Sequence, residues 1–225
     1  HQPLSFSVSE TTEGVHIHII DAELMGKGEK EKKDLYIEGV QNNGIINHYE
    51  YIINSEGTIE IRHVLKPEGK MPLWFPRIGL TLTVSDALDQ VKWYGRGPQE
   101  NYPDRKTGYP MGIYASTVQA MYEPYLMPQD YGLRTDVRWL QLTTDKGIGL
   151  QFKMNEWFNF NIYPYSTDNL TKAMYTYQLQ KQKGMTLNLD YATTGVGCTA
   201  RGVFGAYKAM PQEYRRTISI RPMMK

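Results

Sequence analysis

Residues 77–84 read RIGLTLTV, with Ile78, Leu80, Leu82 and Val84 separated by Gly79, Thr81 and Thr83. A period of two sends each apolar side chain to one side of an extended strand and each small or polar residue to the other. The same alternation recurs at 15–20, 47–53, 58–65, 137–144, 147–153, 158–163, 185–191 and 215–222. Hairpin punctuation falls between several of these segments, at Asn43-Gly44, Glu56-Gly57, Asp145-Lys146-Gly147 and Lys183-Gly184. Helical signal is confined to TDNLTKAMYT (167–176), with Thr167 or Asp168 as N-cap and Leu170, Ala173 and Met174 on one side. The pattern predicts an all-β chain: a large antiparallel β-sandwich with one short helix.

The chain has 225 residues, 40% of them hydrophobic, enough for one large all-β domain spanning 1–225. With 25 basic and 24 acidic residues the net charge is +1, so nucleic acid and anionic membranes are excluded as electrostatic partners. No apolar run approaches the ~20 residues of a membrane-spanning helix. Cys198, the single cysteine, excludes an internal disulfide and a multi-cysteine metal site, and reads as a buried structural thiol. The segment MGKGEKEKKD (25–34) reads as a solvated charged loop.

Residues 95–136 carry no strand pattern, and a long connection of that kind is usually functional or an interface. The stretch WYGRGPQENYPDR (93–105) leads into it. Trp93 and Tyr94 end a strand, Gly95 to Pro98 turn the chain, and rings, amides and carboxylates follow. Phosphate cradling is unsupported, because GRGP lacks a following helix and Pro98 removes a donor.

Paired carboxylates are the serious catalytic option, since a glycosidase sets two of them about 5 to 9 Å apart across the scissile bond. Glu100 with Asp104, and Asp130 with Asp136, are the candidate pairs. Arg96, Arg105, Arg134 and Arg138 argue against that role, because a carboxylate paired to arginine has its pKa lowered, the wrong direction for a general acid. The expectation is that Glu100, Asp104 and Arg105 tie down the long loop.

Among the histidines, His16 and His18 share one strand face, with His48 and His63 in neighbouring strands. Two histidines at i, i+2 can ligate a metal, but the sequence fixes no third ligand, so no metal site is expected. No GxSxG turn is present, and Cys198 has no nearby histidine. The 17 tyrosines and 4 tryptophans suit either sugar stacking or core anchoring, and composition leaves both open.

Four blocks then resemble a known family: WYGRGPQENYPDR (93–105), MYEPYLMPQDYGLRTDVRWLQL (121–142), PYSTDNLTKA (164–173) and LNLDYATTGVG (187–197). In that order they resemble the C-terminal, small-chain domain of bacterial β-galactosidases, the multidomain family-two glycoside hydrolases. They cover about the last 130 residues. The resemblance implies a galactose-mutarotase-like supersandwich and makes Trp93, Gly95, Gly97, Pro98, Glu100, Asn101, Tyr102, Asp104, Arg105, Arg134, Asp136, Arg138 and Trp139 structural signature residues. It also implies a parent enzyme that hydrolyses terminal β-galactosides with retention, using two glutamates of a (β/α)₈ barrel outside this chain.

No cofactor is implied here, since the magnesium or sodium ions that parent enzymes use lie largely outside this domain. The partners implied are the remaining domains of the β-galactosidase chain, a galactoside substrate through the parent, and further copies in a homo-oligomer. In many relatives a tryptophan after a GVGG-like turn stacks on the substrate. Here the turn is Gly195-Val196-Gly197-Cys198 and the aligned position is Gly202, which makes Arg201, Gly202 and Phe204 the substrate-proximal candidates. A free-standing carbohydrate-binding module and, on fold resemblance alone, an aldose 1-epimerase are the competing readings.

Overall fold

The structure is a computed structural model, which describes residues 2–24, 44–198 and 202–224. The charged 25–34 segment and Arg201 lie outside the described residues. Eleven strands account for most of the described chain: β1 (Gln2–Thr11), β2 (Gly14–Leu24), β3 (Gly44–Ile53), β4 (Ile59–Glu68), β5 (Arg77–Val84), β6 (Gln90–Arg96), β7 (Met111–Thr117), β8 (Arg134–Thr143), β9 (Gly149–Tyr163), β10 (Met185–Thr193) and β11 (Tyr214–Met223). Every strand pair is antiparallel, in the order β1-β2-β3-β4-β11-β9-β8-β6-β7, with β10 joining β5 to β9. The all-β antiparallel class expected from alternation is the one observed.

The sheet becomes two-layered along β9. Its first half pairs with β11 (Phe152 opposite Ile220) and its second half with β10 (Phe160 opposite Leu189). Two strands thus share one edge of β9, one after the other. A strand that changes partners in this way carries the chain from one layer into the next. The layers meet face to face where His63 of β4 reaches Tyr191 of β10, two strands that do not pair. Between them lies the core, including Ile61, Leu65, Trp93, Val137, Leu140, Phe152, Phe158, Phe160, Leu187, Leu189 and Ile218.

Several details differ from the sequence expectation. Segments 147–153 and 158–163 fall in one strand of 15 residues, Gly149–Tyr163, because β8 pairs along it from Gly149 to Phe160 and the register shifts to absorb the irregularity between them. β7 falls inside the stretch without a strand pattern; its MGIYAST sequence lies at a sheet edge, where only one neighbour, β6, constrains it.

The N-terminal β1 was also not expected. Leu4, Phe6 and Val8 alternate with serines there, and their side chains remain more than half exposed. The helix α1 is shorter, Thr167–Lys172, and its cap is Ser166, whose hydroxyl accepts the Asn169 N–H. The Asp145–Gly147 turn does join β8 to β9, with Gly147 at φ +79°. Gly184 (φ +81°) instead precedes β10 after the helical segment, so that turn closes no hairpin.

Candidate functional site

Trp93 points into the core from the middle of β6, which runs on through Gly95 to Arg96 rather than ending at Tyr94, and its Nε1 donates to the Arg96 carbonyl at 3.0 Å. Tyr114 and Phe160 pack on its ring, and the Arg134 guanidinium sits 5.5 Å from the centroid. A Cβ on Gly97 would stand 2.9 Å from the Tyr114 ring and 3.0 Å from that of Trp93. The glycine is there for close packing. Pro98 accepts the Arg134 Nε through its carbonyl, and Asn101 is fully buried with its Oδ1 accepting both the N–H and the hydroxyl of Thr135. Trp139 lies opposite Tyr94 in the sheet.

The arginines expected to pair with carboxylates divide in two. Arg96 donates to Asp136 at 2.6 Å, and Lys106, not anticipated, donates to the other oxygen at 2.6 Å. Burial alone would raise the Asp136 pKa, but these two bonds outweigh it and hold the carboxyl below its usual range. Arg134 spends its donors on the Pro98 and Gly132 carbonyls, and burial lowers its pKa to about 10. Arg138 stacks over Trp157 at 3.6 Å. Arg105 is exposed and makes no side-chain hydrogen bond or ion pair among the described residues, so it does not tie the loop down.

On the far side of β9 and β10 a polar network takes the place of a core. Asn161 and Asn188 are buried and bonded to each other at 2.8 Å, and Thr81 donates to Asn188. The Arg77 guanidinium, at the start of β5, reaches Asp190 at 2.9 Å, Asn161 at 3.2 Å and Asp130 at 3.4 Å. Burial pushes the Asp190 carboxyl up to about 6 against the pull of Arg77. The nearby carboxylates outweigh the burial of Arg77, so the guanidinium stays charged. Asp130 also accepts from Asn161 at 2.9 Å and from the Tyr163 hydroxyl at 3.0 Å.

A cleft of about 460 Å³ opens above this network. Its walls include Trp74, Arg77, Tyr102, Arg105, Tyr125, Asp130 and the 193–196 segment. The sequence MPLWFPRIG gives no local cue that the Trp74 ring and the Arg77 guanidinium face one opening.

The suspected carboxylates are all bonded to groups of the chain itself. Glu100 accepts from the hydroxyls of Tyr102 and Tyr125 and from the Gly132 N–H. Asp104 accepts the backbone N–H groups of Val196 at 3.1 Å and Gly197 at 2.7 Å. Asp190 has the raised pKa of an acid, but its side chain is only 2% exposed and cannot reach a ligand in the cleft.

The Asp104 clamp fixes the turn that leads to the substrate-proximal candidates. A Cβ on Gly195 would fall 2.4 Å from the Asp104 carboxyl carbon, so only glycine admits the carboxylate. Beyond the turn, Gly195 N donates to the Tyr207 carbonyl and Thr194 receives the Ala209 N–H, so that 202–209 folds back beside the cleft. Gly202 has open space around it and the Phe204 ring is 67% exposed.

His63 separates from the other histidines. It is buried, stacks on Tyr49 at 4.2 Å, and contacts the Tyr191 hydroxyl at 2.7 Å and the Asn47 carbonyl oxygen at 3.1 Å. Asn47 donates its amide to Asp21, which turns its oxygen towards Nε2. His63 therefore carries its proton on Nε2 and accepts from Tyr191 on Nδ1. Burial lowers its pKa to about 4. Cys198 is exposed, against the expectation of a buried thiol.

Fold and site together define an all-β antiparallel domain in which Glu100, Asp104 and Asp136 hold loop segments. The chain belongs to the beta-galactosidase small-chain family, with residues 7–220 matching. It is 38% identical to a β-galactosidase of Priestia megaterium over 147 residues, 65% of this chain and 14% of that protein. A Vibrio cholerae β-galactosidase is 39% identical over 122 residues, 54% of this chain and 11% of the relative. The matched regions thus make up about a seventh or less of these relatives' length. Among solved structures, an aldose epimerase homologue from C. elegans covers 97% of the chain at 12% identity with a TM-score of 0.47, its own coverage being 68%.

Proposed function

We propose that this chain forms the C-terminal part of a β-galactosidase that releases terminal non-reducing β-D-galactosides with retention, and that it is inactive alone. The carrying observation is the family match over residues 7–220, together with how little of each full-length relative is matched. The catalytic glutamates then belong to a barrel outside the chain. Within the whole enzyme, Asp104 holds the 195–197 turn so that Gly202 and Phe204 border the sugar pocket. The remaining enzyme domains are its partners, and subunits assemble as a homo-oligomer.

Nitrophenyl β-galactoside hydrolysis tests the assignment. The full-length gene product turns the substrate over and the purified 225-residue chain does not. Turnover by the chain alone would sink the proposal. The cleft beside Trp74 supports a second reading as a carbohydrate-binding module. It requires saturable galactoside binding by calorimetry with the isolated chain, and a flat titration removes it.

A further inference from the structure

On the outer face of β2 and β3, His16 and His18 stand one pleat apart, and Glu50 lies directly opposite His18 in the register. Glu50 Oε1 is 3.6 Å from His16 Nδ1 and 3.9 Å from His18 Nε2. Neither separation is a hydrogen bond. One ligand atom from each residue lies within 4.8 Å of the other two. Three metal-ligating side chains therefore converge without bonding one another.

The spacing is close to what an ion would impose. With bonds of 2.0–2.1 Å, a tetrahedral zinc site separates its ligand atoms by about 3.3 Å. A small rotation of the half-exposed His18 ring would close the remaining gap. The carboxylate is already oriented: Arg62 takes Oε2 at 3.0 Å and leaves Oε1 facing the imidazoles. Glu60 in turn binds the Arg62 Nε at 2.8 Å. Two carboxylates around one guanidinium leave a net negative charge beside the two imidazole rings, which favours a cation. A hydrogen-bonded ligand carboxylate of this kind is the usual support of a metal site.

His16 is largely enclosed, its side chain being 13% exposed. Its Nε2 is buried with no hydrogen-bond partner among the described residues, so Nδ1 is the ring's one route to a polar partner. The structure assigns to His16, His18 and Glu50 a binding site for a borderline divalent cation of the zinc class, with one coordination position open to solvent. Imidazole nitrogen selects such ions over magnesium or calcium.

Calorimetric titration of the 225-residue chain with zinc chloride is the test. One zinc ion binds per chain with micromolar affinity, and magnesium gives no saturable heat. His18→Ala, at an exposed position that the fold tolerates, weakens binding by about tenfold or more, as does Glu50→Gln. His48→Ala, on the same face but outside the trio, leaves affinity unchanged, and circular dichroism verifies the fold of each variant. Absence of saturable zinc binding overturns the site, and so does a His16→Ala/His18→Ala double variant that binds as tightly as the wild type. Neither result bears on β-galactoside hydrolysis, which is read separately.

Discussion

Asp104 Oδ2 accepts the backbone N–H of Gly197 at 2.7 Å, joining two segments that lie 93 residues apart in sequence. The companion bond from Val196 N to Oδ1 makes the carboxylate a two-point clamp on the 195–197 turn. Asp104→Ala removes both acceptors and leaves two backbone donors to partly exposed surroundings. The expected loss is about 1–2 kcal/mol of unfolding free energy by denaturant titration. Asp104→Asn keeps one acceptor oxygen and should fall between the wild type and the alanine variant.

Gly195→Ala would press its methyl group against that same carboxylate, given the 2.4 Å approach. Its cost should exceed that of an ordinary surface substitution and shrink when Asp104 is also alanine. A double-mutant cycle reads this directly, with coupling of about 1 kcal/mol or more expected for residues in contact. Additive effects would show that the turn relaxes away from Asp104 freely.

Arg105→Ala, by contrast, should change stability by no more than about 0.5 kcal/mol, because the side chain is exposed and unpaired among the described residues. Thermal unfolding of this variant beside Asp104→Ala separates the two neighbours. A drop as large as that of Asp104→Ala would mean that Arg105 holds the loop after all.

How legible this was depended on the range of the interactions. Alternation in RIGLTLTV or MTLNLDY reports a local property, the pleat, and those strands appear where the pattern puts them. The same alternation misleads about solvent. Asn188 and Asp190 occupy the polar side of β10, yet both are buried in a network with Asn161, Tyr163 and Arg77. Partners were legible only when close in chain or charge: Arg96 and Asp136 could be suspected, but Arg77 and Asp190 are 113 residues apart. A carboxylate such as Asp104 that binds backbone N–H groups leaves no partner residue type to read at all. The same holds for the trio of His16, His18 and Glu50, since a β-register decides which carboxylate faces two histidines.

Arg77→Met should be costly in a way that Asp190→Asn is not. Removing the guanidinium leaves Asp190 buried without its cation and forces it to take up a proton, at about 3–5 kcal/mol for a broken buried pair. Asp190→Asn keeps a hydrogen-bonding side chain and removes the group that burial disfavours. Denaturant titrations at neutral pH should therefore rank Arg77→Met well below Asp190→Asn. The reverse order would show that the carboxylate, and not the guanidinium, organises the network.

His63 gives the layer interface a dependence on pH. Its folded pKa of about 4 lies below the ordinary 6.5, so the folded state favours the neutral ring. The stability this represents is present above pH 6.5 and is lost as pH falls from 6.5 towards 4, because the unfolded chain takes up the proton first. A depression of that size corresponds to about 3 kcal/mol. Asp190 acts in the opposite sense over part of the window: its folded value of about 6 exceeds the usual 3.8, so it favours the fold as pH falls through 6. The clean readout is thus the difference between wild type and His63→Gln, followed by denaturant titration from pH 7 to pH 4. The wild type is the more stable at pH 7, and its advantage narrows steadily on acidification. An advantage that stays constant across the range would mean that His63 is free to ionise between the layers, and that the Asn47–His63–Tyr191 chain does not hold it neutral.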